Sequence, residues 1–303
     1  MIEADTTLVA IPETIQAPPP RWAFWRHATF RRLMHHQLFL SGSILFAIIS
    51  LVAVFAPLIT DADPNKLAMR LRFHAPDWDY PFGTDNLGRS QLSRVLYGAR
   101  LSLAIGLGVV ILNGVFGVLI GAISGFFRHL DDILMRISDA LMAFPPLLLA
   151  LGIAAALGPS SNTAVIALSA AYIPRTARIV RASVLVVREM EYVQAAQACG
   201  AKSLRIMWTH ILPNCMAPLI VQLTFIFAYA VLTEATLSFL GLGAEPPTPT
   251  WGNIMAEGRT YLREAEWITL IPGIALAMTV LGLNLLGDGL RDVLDPRLKV
   301  QQG

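Results

Sequence analysis

Across 303 residues the chain has a mean hydropathy of +0.58, 55% hydrophobic residues and only 15% charged ones. Soluble domains carry roughly 25% charged residues, so the composition excludes a soluble globular protein and predicts a polytopic membrane protein set in a lipid bilayer. A formal net charge of +2 gives no basis for a nucleic-acid partner, and two cysteines exclude a disulfide scaffold.

Residues 1–20, polar and holding Pro18, Pro19 and Pro20, read as a disordered tail. No cleavable signal peptide is expected, because the first apolar run is too long for one and lacks a small-residue cleavage site. Residues 21–37 mix Trp22, Trp25 and Phe30 with Arg21, Arg26, Arg31 and Arg32, the pattern of a helix lying in the membrane interface. His27, His35 and His36 belong to that basic cluster and are not read as metal ligands.

Residues 38–59 carry no charge over 22 positions, about 33 Å as a helix, and form the first span. A polar loop rich in Pro, Gly and Asp fills 61–100. The second span is 101–127, where Gly117, Gly121 and Gly125 repeat on one face and allow close backbone approach of a neighbouring helix. Asp131 and Asp132 suit the start of the next helix. The uncharged run 140–174 is too long for one span and breaks at 158–162, so it reads as a hairpin: span 3 at 133–157, kinked at Pro145–Pro146, and span 4 at 163–183. Arg175, Arg178 and Arg181 share a broad helix face, where they are expected to snorkel to the cytoplasmic interface or pair with a partner. Spans 5 and 6 occupy 219–242 and 267–287, and span 5 contains one ionisable residue, Glu234.

Six spans place both termini on one side. The tails, the 128–136 turn and the 175–205 segment hold 15 Lys and Arg, the two remaining loops 8. The positive-inside rule then puts both termini and the 191–214 segment in the cytoplasm, where Cys199 and Cys215 would stay reduced. A helix would spread these two and His210 over different faces, so no metal site is expected.

Between spans 4 and 5, residues 191–214 form a polar island. Residues 192–199 are good helix formers, Gly200 interrupts them as a helix C′ residue does, and a second short helix begins near Lys202 or Ser203. Leu204, Met207 or Trp208, and Ile211 recur on one face, and Pro213 is expected to stop this helix. The island reads as a solvated loop packed on its own protein or as an apolar-faced helix laid in a partner's groove.

The island resembles the EAA loop of ABC-importer permeases, which reads Glu-Ala-Ala, three residues, Gly, nine residues, Ile-x-Leu-Pro. Ala195, Ala196, Gly200, Leu212 and Pro213 stand at matching places; Gln194 replaces the Glu and His210 the Ile. Residues 81–103, 232–243 and 284–298 are similar to segments of the dipeptide, oligopeptide and nickel branch, in its shorter permease subunit. The resemblance implies an all-α type I importer permease of the bacterial inner membrane. It implies a coupling loop made of Gln194, Ala195, Ala196, Gly200, Leu204, Trp208, Leu212 and Pro213. The implied partners are a second permease, one or two ATP-binding subunits that hold ATP and Mg, and an extracytoplasmic solute-binding protein; this chain itself would bind no cofactor.

A translocation path lined by spans 3 to 5 is expected to use Met142, Phe144, Tyr172, Gln222, Phe225 and Tyr229. Glu234 either pairs structurally or contacts substrate. An enzyme is not expected: residues 200–203 lack the glycines of a phosphate loop, and no HExxH or GxSxG occurs. The alternative is a secondary transporter with Glu234 as its ion or proton site.

Overall fold

The structure, a computed structural model, describes residues 30–294. Among these residues it is helical, with Thr84 and Ser90 forming an isolated bridge in place of any sheet. The expected tail at 1–20 lies outside the described residues, as do 21–29 of the expected interfacial helix and residues 295–303; residues 30–35 are helical.

The long helices are α1 (Gln37–Val54), α2 (Gln91–Phe126), α5 (Ser161–Arg188), α7 (Ser203–Phe239) and α9 (Trp267–Leu294). Shorter ones are α3 (Arg128–Met142), α4 (Pro146–Leu157), α6 (Glu191–Ala198) and α8 (Trp251–Gly258). Helices α1, α2, α7 and α9 are long and apolar enough to cross a membrane, and α3 with α4 adds a fifth crossing if the bent pair counts as one. Helix α5 carries Arg175, Arg178, Arg181 and Arg188 and is not among them. The sequence expectation of six rests on including it.

Several boundaries differ from the sequence reading, each for a local reason. Helix α2 starts at Gln91, ten residues before the apolar run, because the Ser90 hydroxyl caps it by accepting from the Ser93 N–H and Arg94 in its first turn finds a carboxylate in Glu257. Span 1 breaks at Phe55, before a short helix Ala56–Ile59 that has proline in its first turn. The expected kink in span 3 is a bend of 89° between α3 and α4 at Pro145–Pro146. Pro213 does not stop a helix. It lies in the first turn of an α-helical stretch that follows a π-helical turn, Met207–Ile211, so α7 runs on through it. Proline lacks a backbone N–H and clashes with the carbonyl four residues back; the wider π turn just before it displaces that partner.

The glycine repeat of α2 packs on α5. A Cβ at Gly121 would sit 2.5 Å from the Ala177 carbonyl oxygen, and at Gly117 and Gly125 it would meet Thr176 and Val184 at 2.6 and 2.8 Å. Beside Gly117, the Asn113 amide donates to the Val109 carbonyl (2.9 Å) and accepts from the Thr176 hydroxyl (3.3 Å). Dispersion and hydrogen bonds at close range hold helices where lipid supplies no hydrophobic drive. Around this seam, Ile105, Val109, Ala154, Leu168, Ala171 and Ile226 join α2, α4, α5 and α7 in one apolar cluster.

The bundle has two ends. The knob face carries α6 and the start of α7. The loop face carries residues 60–90 and 240–266.

Candidate functional site

At the knob face, α6 closes as its sequence demands. Gly200 takes φ +79°, its N–H donates to the Gln197 carbonyl (2.9 Å), and the Ala201 N–H donates to the Ala196 carbonyl (3.0 Å). This is a Schellman closure, which satisfies carbonyls at the helix end and requires the left-handed conformation that glycine adopts freely. A Cβ at Gly200 would meet nothing within 4 Å in this chain, so the demand for glycine here is conformational.

The expected apolar stripe is divided between two faces. Ile206, Met207 and Ile211 turn inward and pack with Val193 of α6 and with Val184 and Val187 of α5. Leu204 and Trp208 point away and are 67% and 69% exposed. Four residues apart, they stand side by side on the helix surface. Gln194 and Ala195 are exposed, and Gln194 donates to the Glu189 carbonyl (3.1 Å). Ala196 and Leu212 are half-buried against the inner cluster, and Pro213 is exposed. The Tyr192 ring lies 6.2 Å from that of His210. Beside α6 opens a cleft of about 530 Å³ lined by Phe126, Arg128, Arg188, Glu189, Gln194 and Gln197. Cys199 is exposed, Cys215 is buried, and both are free thiols.

The residues expected to line a path fall in different places. Phe144, at the elbow between α3 and α4, is 59% exposed, and Met142 is half-buried. Tyr229 is 42% exposed, with the Arg175 guanidinium 5.8 Å from its ring centre. Tyr172 is buried, its hydroxyl 2.8 Å from the Thr233 hydroxyl. Gln222 is buried as well, and Phe225 packs on Gly287 of α9. Glu234 is completely buried between helices and accepts a hydrogen bond from the Ser238 hydroxyl (2.7 Å). Helix α8 presses against this spot: a Cβ at Gly252 would come 2.2 Å from the Ala235 carbonyl oxygen, and the Trp251 N–H points at the Ser102 hydroxyl (3.4 Å). A carboxylate enclosed in this way touches no surface of the subunit.

Sequence reasoning missed an ion network at the loop face. Arg89 bonds Asp85 and Glu257, each at 2.5 Å; Arg94 bonds Glu257 at 3.0 Å and lies 3.6 Å from Asp85. Asp85 and Arg94 are 1% exposed. The network joins the 60–90 loop, α2 and α8. Its signal was the charge density of residues 85–94, but the acid that completes it is 168 residues away from Arg89.

Residues 117–300 match the family described as binding-protein-dependent transport system inner membrane component, and residues 23–79 match the N-terminal TM domain of oligopeptide transport permease C. The chain belongs to the binding-protein-dependent permease family. The permease is 57% identical over 273 residues to a Brucella abortus protein provisionally named a peptide transport system permease, covering 90% of this chain and 92% of the other. It is 42% identical over 289 residues to the dipeptide transport system permease protein DppC of Alkalihalophilus pseudofirmus, covering 93% and 95%. Against DppC of Haemophilus influenzae it is 39% identical over 303 residues, covering 98% and 99%. A solved structure titled as inward-facing conformations of the MetNI methionine ABC transporter shares the fold, with a TM-score of 0.54 at 18% identity. That match covers 66% of the permease and 96% of the other chain. The permease is therefore a multi-pass inner-membrane component with the all-α type I importer fold.

Proposed function

We propose that this permease carries di- or oligopeptides inward as one half of a two-permease channel. An external binding protein would deliver the peptide, and one or two ATPase subunits, holding ATP and Mg, would bind the knob. The chain would perform no chemistry of its own. The observation that carries the reading is the exposed pair Leu204 and Trp208 beside the Gly200 closure. Apolar side chains of this size gain about 1.5–3 kcal/mol each on burial, and the surface beneath them is already held by Val193, Ile206 and Ile211. Peptides as cargo follow from the names of the relatives.

The charge bias favours both termini, and the knob, on the ATP side of the membrane. Closing of the ATPase pair would push α6 and tilt α5 and α7, opening the path toward the binding protein. Phe144 and Tyr229, exposed on α3–α4 and α7, are the expected residues that face the path, with Tyr172 behind Tyr229. Burial of Glu234 and its bond to Ser238 support a structural role for it.

Energy coupling tests the reading. In proteoliposomes holding both permeases, the ATPases and the binding protein, uptake of radiolabelled alanyl-alanine should require internal ATP and ignore a proton gradient. Uptake that persists without ATP in the presence of that gradient would overturn it.

A further inference from the structure

Four arginines lie on α5, and the surroundings of three of them, Arg175, Arg178 and Arg181, differ. Arg181 is held by Asp131 through two bonds of 2.5 and 2.6 Å, and Arg178 pairs with Asp139. Arg175 pairs with no carboxylate among the described residues: every ion pair of α5 belongs to Arg178, Arg181 or Arg188. It is exposed on the subunit surface, with its guanidinium over the exposed ring of Tyr229.

This cation lies deep along the bundle. Arg175 stands in the middle of α5, between Ser161 and Arg188, which places it about 20 Å from either end. Tyr229 stands ten residues before Phe239, the end of α7, or about 15 Å along that helix. The hydrocarbon core of a bilayer is about 30 Å thick, so with Ser161 and Phe239 at one bilayer surface both helices put the guanidinium within it. A cation there costs several kcal/mol if it faces lipid, and such residues face polar cavities or partners. Pro174 precedes it in the same helix, and the buried Tyr172–Thr233 hydroxyl pair ties α5 to α7 just above, which fixes the direction of the exposed face.

We propose that Arg175 is a substrate-binding residue of the translocation path, taking the C-terminal carboxylate of the passing peptide while the Tyr229 ring holds its guanidinium. This rests on the reading of the chain as a peptide permease. Guanidinium presents two parallel N–H donors to a carboxylate, and the ring face stabilises the cation while leaving those donors free. Every linear peptide carries one α-carboxylate whatever its side chains, so this contact would serve a carrier of varied peptides. Release remains possible because the site is open on one side and offers a single cation.

The test uses the complete transporter in proteoliposomes, with the binding protein saturated by radiolabelled alanyl-alanine, and compares Arg175→Gln with Arg175→Lys. A charge-assisted hydrogen bond contributes about 1.5–3 kcal/mol, so Arg175→Gln should lower uptake about tenfold or more. Arg175→Lys, which keeps the charge and loses the fork, should retain much more. Both variants should co-purify the second permease in wild-type amounts. Uptake by Arg175→Gln equal to wild type would overturn the assignment. So would loss of the second permease, since Arg175 would then be pairing with an acid of that subunit. If the wild-type complex carries neither alanyl-alanine nor a longer peptide such as pentaalanine, the peptide reading itself falls, and this assignment with it.

Discussion

The two ends of the bundle are built in opposite ways. At the loop face, charge is turned inward: Asp85, Arg89, Arg94 and Glu257 close a network in which Asp85 and Arg94 are almost fully enclosed, and Trp251 is entirely buried. At the knob face, an apolar cluster holds the base of the structure while Leu204 and Trp208 remain uncovered. The loop face pairs its charges within the subunit, although Trp78, Leu67 and Met69 stay exposed there. The knob keeps apolar surface that water disfavours and that a partner can cover.

The largest effect should come from opening the loop-face network. Arg89→Ala leaves two carboxylates sharing Arg94, with one negative charge in excess. Breaking a buried ion pair by removing one partner costs about 3–5 kcal/mol. Thermal unfolding in detergent should show the loss as a large fall in midpoint. The double change Arg89→Leu with Glu257→Leu should recover part of it, because apolar replacement removes both charges together. An Arg89→Ala protein as stable as wild type would remove the contrast between the two ends.

A smaller effect should follow at Glu234. Glu234→Gln keeps an acceptor for the Ser238 hydroxyl, whereas Glu234→Leu leaves that hydroxyl buried without it, at a cost of about 1–3 kcal/mol. Transport should therefore survive better in the Gln variant than in the Leu variant, in step with membrane abundance. Equal loss of transport at normal abundance would make the charge itself the functional quantity and revive an ion site.

Much of this was legible in the chain. The glycine repeat at 117, 121 and 125 foretold a close helix seam, though not that α5 would fill it, and Gly200 foretold a left-handed closure, because in both cases the reason is steric. The division of the knob's apolar residues was not legible. A period of 3.6 places Leu204, Met207, Trp208 and Ile211 on one stripe. The π turn Met207–Ile211 spends an extra residue per turn, so Ile211 lags behind and joins Ile206 and Met207 on the inner face. Pro145–Pro146 announced a break but not its 89° angle, which depends on what α3 and α4 pack against. The ion network depends on Glu257 meeting Arg89 across most of the chain, a pairing that no local pattern encodes.

Under the proposed function, Leu204 and Trp208 would receive the ATPase. The direct measurement is purification of the transporter carrying Leu204→Ala and Trp208→Ala together, scoring each subunit and the ATP hydrolysis stimulated by loaded binding protein. Neither side chain supports the subunit's own core, so abundance in the membrane and association with the second permease should match wild type. The ATPase subunits should be retained about tenfold less or worse, given about 1.5–3 kcal/mol for each buried apolar side chain, and stimulated hydrolysis should disappear. Full retention of the ATPase with wild-type peptide uptake would contradict the account.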